Sequence, residues 1–257
     1  MEIRGIDVSR WQGAIDWEKV KNDGIGFAIL KAGGSDKGFY KDITFDGNYA
    51  EAKRVGIAVG AYYFVGKSCK SAADGEADAI RFIEILKGKQ FEYPVYIDFE
   101  APDTSNNSGN TEAVSAFCKV MEDAGYYVGV YASEVSGFRD RLDDGQLQHI
   151  SHWVARYGKK PEMDTNVFHV WQFSSTGKVN GISGNVDMDI SYVDFESCIV
   201  RKGLNGFGKI EDRLDNYQVA VKVIKKEWDI EDVRAYGYDA TQVRHIIDVY
   251  EKVRERL

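Results

Sequence analysis

The chain is poor in the residues that staple a fold, hold a metal or attract polyanions. Its three cysteines, Cys69, Cys118 and Cys198, are an odd number without metal-ligand spacing, which excludes a disulfide framework and fits synthesis in a reducing cytoplasm. The four histidines, His149, His152, His169 and His245, form no HExxH-type cluster, so neither a metal site nor a cofactor is expected. No apolar run approaches the roughly 20 residues of a membrane helix, which excludes membrane insertion through such a segment. The opening Met1-Glu2-Ile3-Arg4-Gly5 runs straight into a strand, with no signal peptide of the usual kind. Positive charge is in deficit: the net charge of −8 argues against nucleic acid or an anionic membrane as partner, either of which calls for a basic patch.

What remains is an ordinary globular composition, 44% hydrophobic and 29% charged, with aromatic residues plentiful at 13%. From residue 3 to about 192, short β-branched or aromatic runs alternate with amphipathic stretches, the pattern of βα units around a mostly parallel sheet. The spacing predicts strands at Ile3–Val8, Phe27–Ala32, Ala58–Val65, Val95–Glu100, Tyr127–Ala132, His152–Tyr157, His169–Phe173 and Val186–Ser191. Helices are expected at Trp17–Asp23, Thr44–Val55, Ser71–Lys87, Glu112–Ala124 and Gly145–Ile150, with Asn110 or Thr111 capping the fourth. Eight strands with some crossovers too short for a full helix predict an α/β fold, an irregular (β/α)8-like barrel. After Phe195 the texture changes, so the domains expected are a barrel at 1–198, a glycine-rich linker at 199–212 and a small all-α module at 213–257.

Tyr93-Pro94-Val95-Tyr96-Ile97-Asp98-Phe99-Glu100 ends an apolar strand with two carboxylates on one face, their Cα atoms roughly 6.6 Å apart. Either acid alone reads equally well as a helix cap or half of an ion pair. The pair is harder to explain that way, because strands alternating with helices point their C-terminal ends at the ligand face. Like charges held close in a partly dry pocket push their pKa values apart, leaving one carboxyl as an acid and the other ionised, which is the equipment of a glycosidase. Asp7 ends the first strand and Asp187 belongs to the last. First and last strands of a closed barrel are neighbours, so these four acids converge on one mouth. Asp189 shares a face with Asp187 but lies deeper. Lys31 on the second strand reads as a salt bridge within the acid cluster or as a sugar contact. Tyr62, Tyr131, Trp153, Tyr157 and Trp171 read as sugar-stacking walls or as barrel filling, with Tyr62 and Trp171 the clearest wall candidates.

Gly5-Ile6-Asp7-Val8-Ser9, followed by Trp11-Gln12-Gly13 and Ile15-Asp16-Trp17, resembles the opening of glycoside hydrolase family 25, the Chalaropsis-type lysozymes. Phe27–Lys31, Gly60-Ala61-Tyr62-Tyr63-Phe64, Asp98-Phe99-Glu100, Val130-Tyr131, Trp153–Tyr157, Trp171-Gln172-Phe173 and Val186-Asp187-Met188-Asp189 match that family in order. The likeness covers roughly residues 3–195. It implies hydrolysis of the β-1,4 bond between N-acetylmuramic acid and N-acetylglucosamine in peptidoglycan glycan strands. Glu100 is implied as general acid and Asp98 as the group that orients the substrate's acetamido, with Asp187 and Asp7 assisting. Substrate assistance of this kind is an exception to the two-carboxylate schemes, and a retaining or an inverting outcome stays open here. Tyr62, Lys31, Tyr131, Trp171, Tyr157 and Asp189 are the implied substrate contacts.

The same resemblance implies a phage endolysin or related bacterial lysin, made in the host cytoplasm without a signal peptide and acting on the wall after release, with a bacterial autolysin exported by another route as the alternative. Near the C-terminus, Lys226-Glu227-Trp228, Arg234, Gly237-Tyr238-Asp239 and Val243 faintly resemble the helical cell-wall-binding repeats of endolysins, but Asp229-Ile230-Glu231-Asp232 stands where they have a turn. Residues 203–257 carry 10 basic and 11 acidic side chains, which excludes anchoring by net positive charge. The stripe Val243, Ile246, Ile247 and Tyr250 makes a homodimer through these helices the alternative to wall binding. Two rival readings are a chitinase-like glycosidase and a peptidoglycan-binding protein that has lost catalysis. Pro94 and Tyr96 stand where chitinase-like barrels carry further acids, and the presence of all four acids opposes the second.

Overall fold

The computed structural model of the chain describes residues 2–163, 168–208 and 222. Eight strands close into a barrel: β1 (Ile3–Val8), β2 (Phe27–Gly34), β4 (Ala58–Phe64), β5 (Val95–Asp98), β6 (Val128–Ser133), β7 (Ser151–Ala155), β8 (Phe168–Gly177) and β9 (Val186–Ser191) follow one another around the ring. A two-residue strand, β3 (Tyr40–Lys41), adds to the edge of β2 and has no sequence signal. β1, β2 and β4 to β8 run parallel, whereas β9 lies antiparallel to both β8 and β1. The connection 178–185 explains the reversal, since a parallel return needs a crossover of about a dozen residues or more. Asp187 therefore lies near the start of its strand, and the reversal brings that start to the mouth where the other strands end.

Each strand buries two faces, one toward the barrel interior and one toward the helices. Ile6, Val8, Ala28, Leu30, Val95 and Ile97 pack outward beneath helices α1 (Trp17–Asn22), α2 (Phe45–Arg54), α3 (Ala72–Leu86), α4 (Asn107–Asp123) and α5 (Asp144–Leu147). The alternate residues fill the interior with aromatic rings, notably Phe27, Tyr62, Tyr96, Tyr131 and Trp153. Glycine makes room for two of them. A Cβ on Gly5 would stand 2.3 Å from the Phe27 ring, and one on Gly129 would stand 2.4 Å from that of Tyr96. At such distances the ring would have to move.

Helix α4 starts five residues before its expected start, so Asn110 and Thr111 lie within it and do not cap it. A short turn of 3-10 helix, Thr104–Asn106, is capped by Asp103 and leads into α4. The Asn110 amide donates to the Asp103 and Arg141 carbonyls at 2.7 and 3.2 Å, which ties the loop after β5 to that after β6.

The chain divides into two compact units, Met1–Phe207 and Gly208–Leu257. Helix α6 (Phe195–Lys202) runs through the boundary expected at 198, and its Phe195 and Ile199 belong to the interior cluster at the barrel floor. Asn205, in the stretch expected to be linker, is wholly buried at φ 53°. Its amide donates to the Phe91 and Tyr93 carbonyls at 3.1 and 2.9 Å and accepts from the Tyr127 N–H at 2.7 Å, holding the chain where it enters β5 and β6. The helices expected between 213 and 257, with their wall-binding or dimer-forming roles, lie outside the described residues.

Candidate active site

The C-terminal ends of the parallel strands and the start of β9 surround a cavity of about 200 Å³. Asp7 of β1, Asp98 of β5 and Asp187 of β9 line it, together with Glu100, which stands two residues beyond the end of β5. Glu100 thus does not continue the strand face as the spacing predicts: it rises to an exposed rim while Asp98 remains 5% exposed. Asp7 and Asp187 are opposite partners across the β1–β9 pair. The four acids are therefore neighbours in space, as the first-and-last-strand argument requires.

Burial dominates the electrostatics. The Asp98 carboxyl is held well above the usual carboxylate range by loss of solvent and then by the Glu100 charge, partly offset by Lys31. Glu100 is also raised by the protein-walled recess around it, although Lys31 and Arg141 pull it back. Asp187 is pushed up to about 6 by desolvation and by Glu100. A site with these pairs holds protonated and ionised carboxyls together near neutral pH, which acid–base chemistry requires.

One buried oxygen, Asp98 Oδ1, meets no hydrogen-bond donor among the described residues. Asp7 Oδ2 accepts from Gln172 Nε2 at 2.7 Å. The other end of that amide, Gln172 Oε1, accepts from the Tyr131 and Tyr157 hydroxyls at 2.9 and 3.0 Å. Gln172 is therefore the hub of the wall, linking an acid to two phenols. It was missed because a lone glutamine in an apolar strand carries no spacing signal of its own.

Tyr62, Tyr131 and Tyr157 line the cavity as expected, and Trp153 joins them beneath, its ring centroid 4.4 Å from that of Tyr131. Three expected contacts are placed differently. Trp171 alternates with Gln172 and so packs on the outer side of β8, its indole N–H bonded to the Arg156 carbonyl at 2.7 Å. Asp189 is wholly buried below the cavity, where its Oδ1 accepts from Trp153 Nε1 at 2.8 Å and its Oδ2, like Asp98 Oδ1, meets no donor among the described residues. Lys31 makes no ion pair among the described residues. Its ammonium lies 5.6 Å from the Tyr62 ring centroid and 4.4 Å from that of Phe64, close enough for its charge to act on Asp98 and Glu100. Behind the rim, the buried Glu134 bonds Arg139 and Arg156 and braces the residue that precedes Tyr157.

Among the described residues, no group of three or more His, Cys, Asp or Glu side chains is arranged to hold a metal ion, and no helix is long and apolar enough to cross a membrane.

Comparison with known proteins agrees with this arrangement. The profile of glycosyl hydrolases family 25 matches residues 6–182. The autolytic lysozyme of Clostridium acetobutylicum is 29% identical over 188 residues, covering 73% of this chain and 55% of that protein, so the match spans little more than half of that relative. Lysozyme M1 of Streptomyces globisporus is 29% identical over 199 residues, covering 72% of this chain and 66% of that protein. The crystal structure of the bacterial lysozyme from Streptomyces coelicolor superposes with a TM-score of 0.65 at 27% identity, covering 80% of this chain and 98% of that one. With an eight-stranded barrel, an acid-lined mouth and a profile match over most of its length, the chain belongs to glycosyl hydrolases family 25.

Proposed function

We propose that the chain is an N-acetylmuramidase that hydrolyses the β-1,4 bond between N-acetylmuramic acid and N-acetylglucosamine in peptidoglycan, with Glu100 as general acid. The observation that carries the reading is the pairing of Asp98 and Glu100: a dry carboxyl with an oxygen that meets no donor among the described residues, two residues from a carboxyl raised in pKa at an open rim. An acetamido N–H supplies the donor that Asp98 Oδ1 lacks. Oriented by that bond, the acetamido carbonyl oxygen attacks the anomeric carbon while Glu100 gives its proton to the departing glycosidic oxygen. Water then opens the cyclic intermediate, and Glu100 takes back a proton from it. Asp187, opposite Asp7 and within reach of the Glu100 charge, steadies the positive charge that develops on the ring or holds that water. Tyr62, Tyr131 and Tyr157 wall the sugar, and burial together with the neighbouring acids keeps their phenols protonated, those of Tyr131 and Tyr157 donating to Gln172 Oε1.

The setting proposed, on the sequence resemblance, is a phage endolysin made in the host cytoplasm, with residues 213–257 binding the wall or pairing two chains. The test of the activity is digestion of purified Gram-positive peptidoglycan, borohydride reduction of the new ends and mass spectrometry. Muramitol supports the reading. Glucosaminitol points to a glucosaminidase, cleavage of chitin alone to the chitinase-like alternative, and binding without new ends to a protein that has lost catalysis. The wall and dimer roles are read by pelleting the full chain and a chain ending at 208 with cell walls, and by sedimentation of both.

A further inference from the structure

Six large apolar side chains are exposed among the described residues, and five of them stand on segments at the mouth of the barrel. Trp11, 78% exposed, follows β1, and Ile43, 86% exposed, lies between β3 and α2. Val135 follows β6, and Tyr157 follows β7. Around the eight-membered ring, β1 lies opposite β6 and β2 opposite β7. These residues therefore make two apolar lips that face each other across the acids. The line joining them crosses, at a steep angle, the line from β5, which leads to Glu100, to β9, which carries Asp187.

We infer that the glycan strand runs across the mouth from the Trp11–Ile43 lip to the Val135–Tyr157 lip, and that Trp11 is a platform for a sugar ring away from the bond being cut. The inference rests on the muramidase reading, because only a linear glycan must leave the cavity on both sides. It places Glu100 on one flank of the strand and Asp187 on the other, where they reach opposite sides of one glycosidic bond. Trp11 is built to serve as a fixed surface. Ser9 and Gln12 close a capping box around its turn, the Arg10 N–H donates to Asp42 Oδ2 at 3.2 Å, and the Arg10 guanidinium lies 5.1 Å from the indole centroid. A large indole carried on a braced turn offers a sugar face with little further ordering of the backbone. It lies four residues on from Asp7, a reach of at most roughly 14 Å, so a ring stacked on it belongs to the strand that occupies the cavity.

The test uses the full chain carrying Glu100→Gln, so that strands are bound and not cut. Its probes are peptide-free peptidoglycan strands of two and of six or more sugars, followed by calorimetry. Adding Trp11→Ala is expected to weaken binding of the long strand about tenfold while changing the disaccharide less than twofold, and Trp11→Phe should restore most of the loss. Ile80→Ala, an exposed apolar residue on α3 away from the mouth, is expected to change neither. Loss of affinity for neither length, or equal loss for both, overturns the platform. A failure of the muramidase reading is separate: the chain with native Glu100 would then give no muramitol from peptidoglycan, whatever Trp11 does.

Discussion

Replacing Asn205 by alanine tests whether the segment after α6 is part of the barrel. The change removes three hydrogen bonds, two buried and one partly buried, leaving the Tyr127 N–H and the Phe91 and Tyr93 carbonyls without their partner, the wholly buried Asn205 amide. Each stranded group costs about 1–3 kcal/mol, and alanine at φ 53° adds about 1 kcal/mol of backbone strain. The expected loss is about 4 kcal/mol or more, a large share of the 5–15 kcal/mol typical of a folded domain. Equilibrium urea unfolding of the full chain, followed by tryptophan fluorescence, measures it. Asn205→Gly accepts the backbone angle freely and should be only about 1 kcal/mol better than alanine, which separates strain from lost bonding. A loss below about 1 kcal/mol for Asn205→Ala would refute the floor-latch reasoning. By the same argument a chain cut at 200 should unfold more readily than one cut at 208, since only the longer one retains Asn205.

Glu100→Gln should lower the rate about 10³-fold without unfolding the chain, because the amide keeps the shape and loses the titrating proton; a variant with more than a tenth of the native rate would remove Glu100 from the acid role. Asp98→Asn should lower kcat at least 10²-fold with little change in KM, and strands de-N-acetylated at the muramoyl ring should be cut as slowly by the native chain; rapid cleavage of such strands would rule out acetamido assistance. Asp187 titrates near 6 when folded and near 3.9 when unfolded. Between those values the folded chain holds the proton more tightly, so this group's contribution to stability falls as pH rises through the window. Asp187→Asn should thus melt higher than the native chain at pH 7 and level with it at pH 4, and a difference independent of pH would contradict the assignment. Gln172→Leu should lower kcat and release Tyr157, seen as faster exchange of the 156–158 backbone; unchanged kcat would show that Asp7 needs no such anchor.

The order of strands and the identity of the mouth acids were determined by the sequence alone. β-branched and aromatic runs set off by glycine mark strands by their composition, and an acid ending such a run has few places to go except a ligand face. Val186–Ser191 and Ile3–Val8 were legible to the residue for that reason. Direction and facing were decided only in three dimensions. Both faces of a barrel strand are buried, one by rings and one by helices, so hydrophobicity does not say which is the interior. That is why Trp171 was expected at the mouth and Gln172 stands there in its place. The reversal of β9 follows from closure by a short connection, and it is what brings Asp187 level with Asp7. Glu100 leaves the strand face because β5 ends at Asp98. Asn205 looks like linker among glycines, and only the barrel floor, with three unpaired backbone groups converging on one point, makes it part of the core.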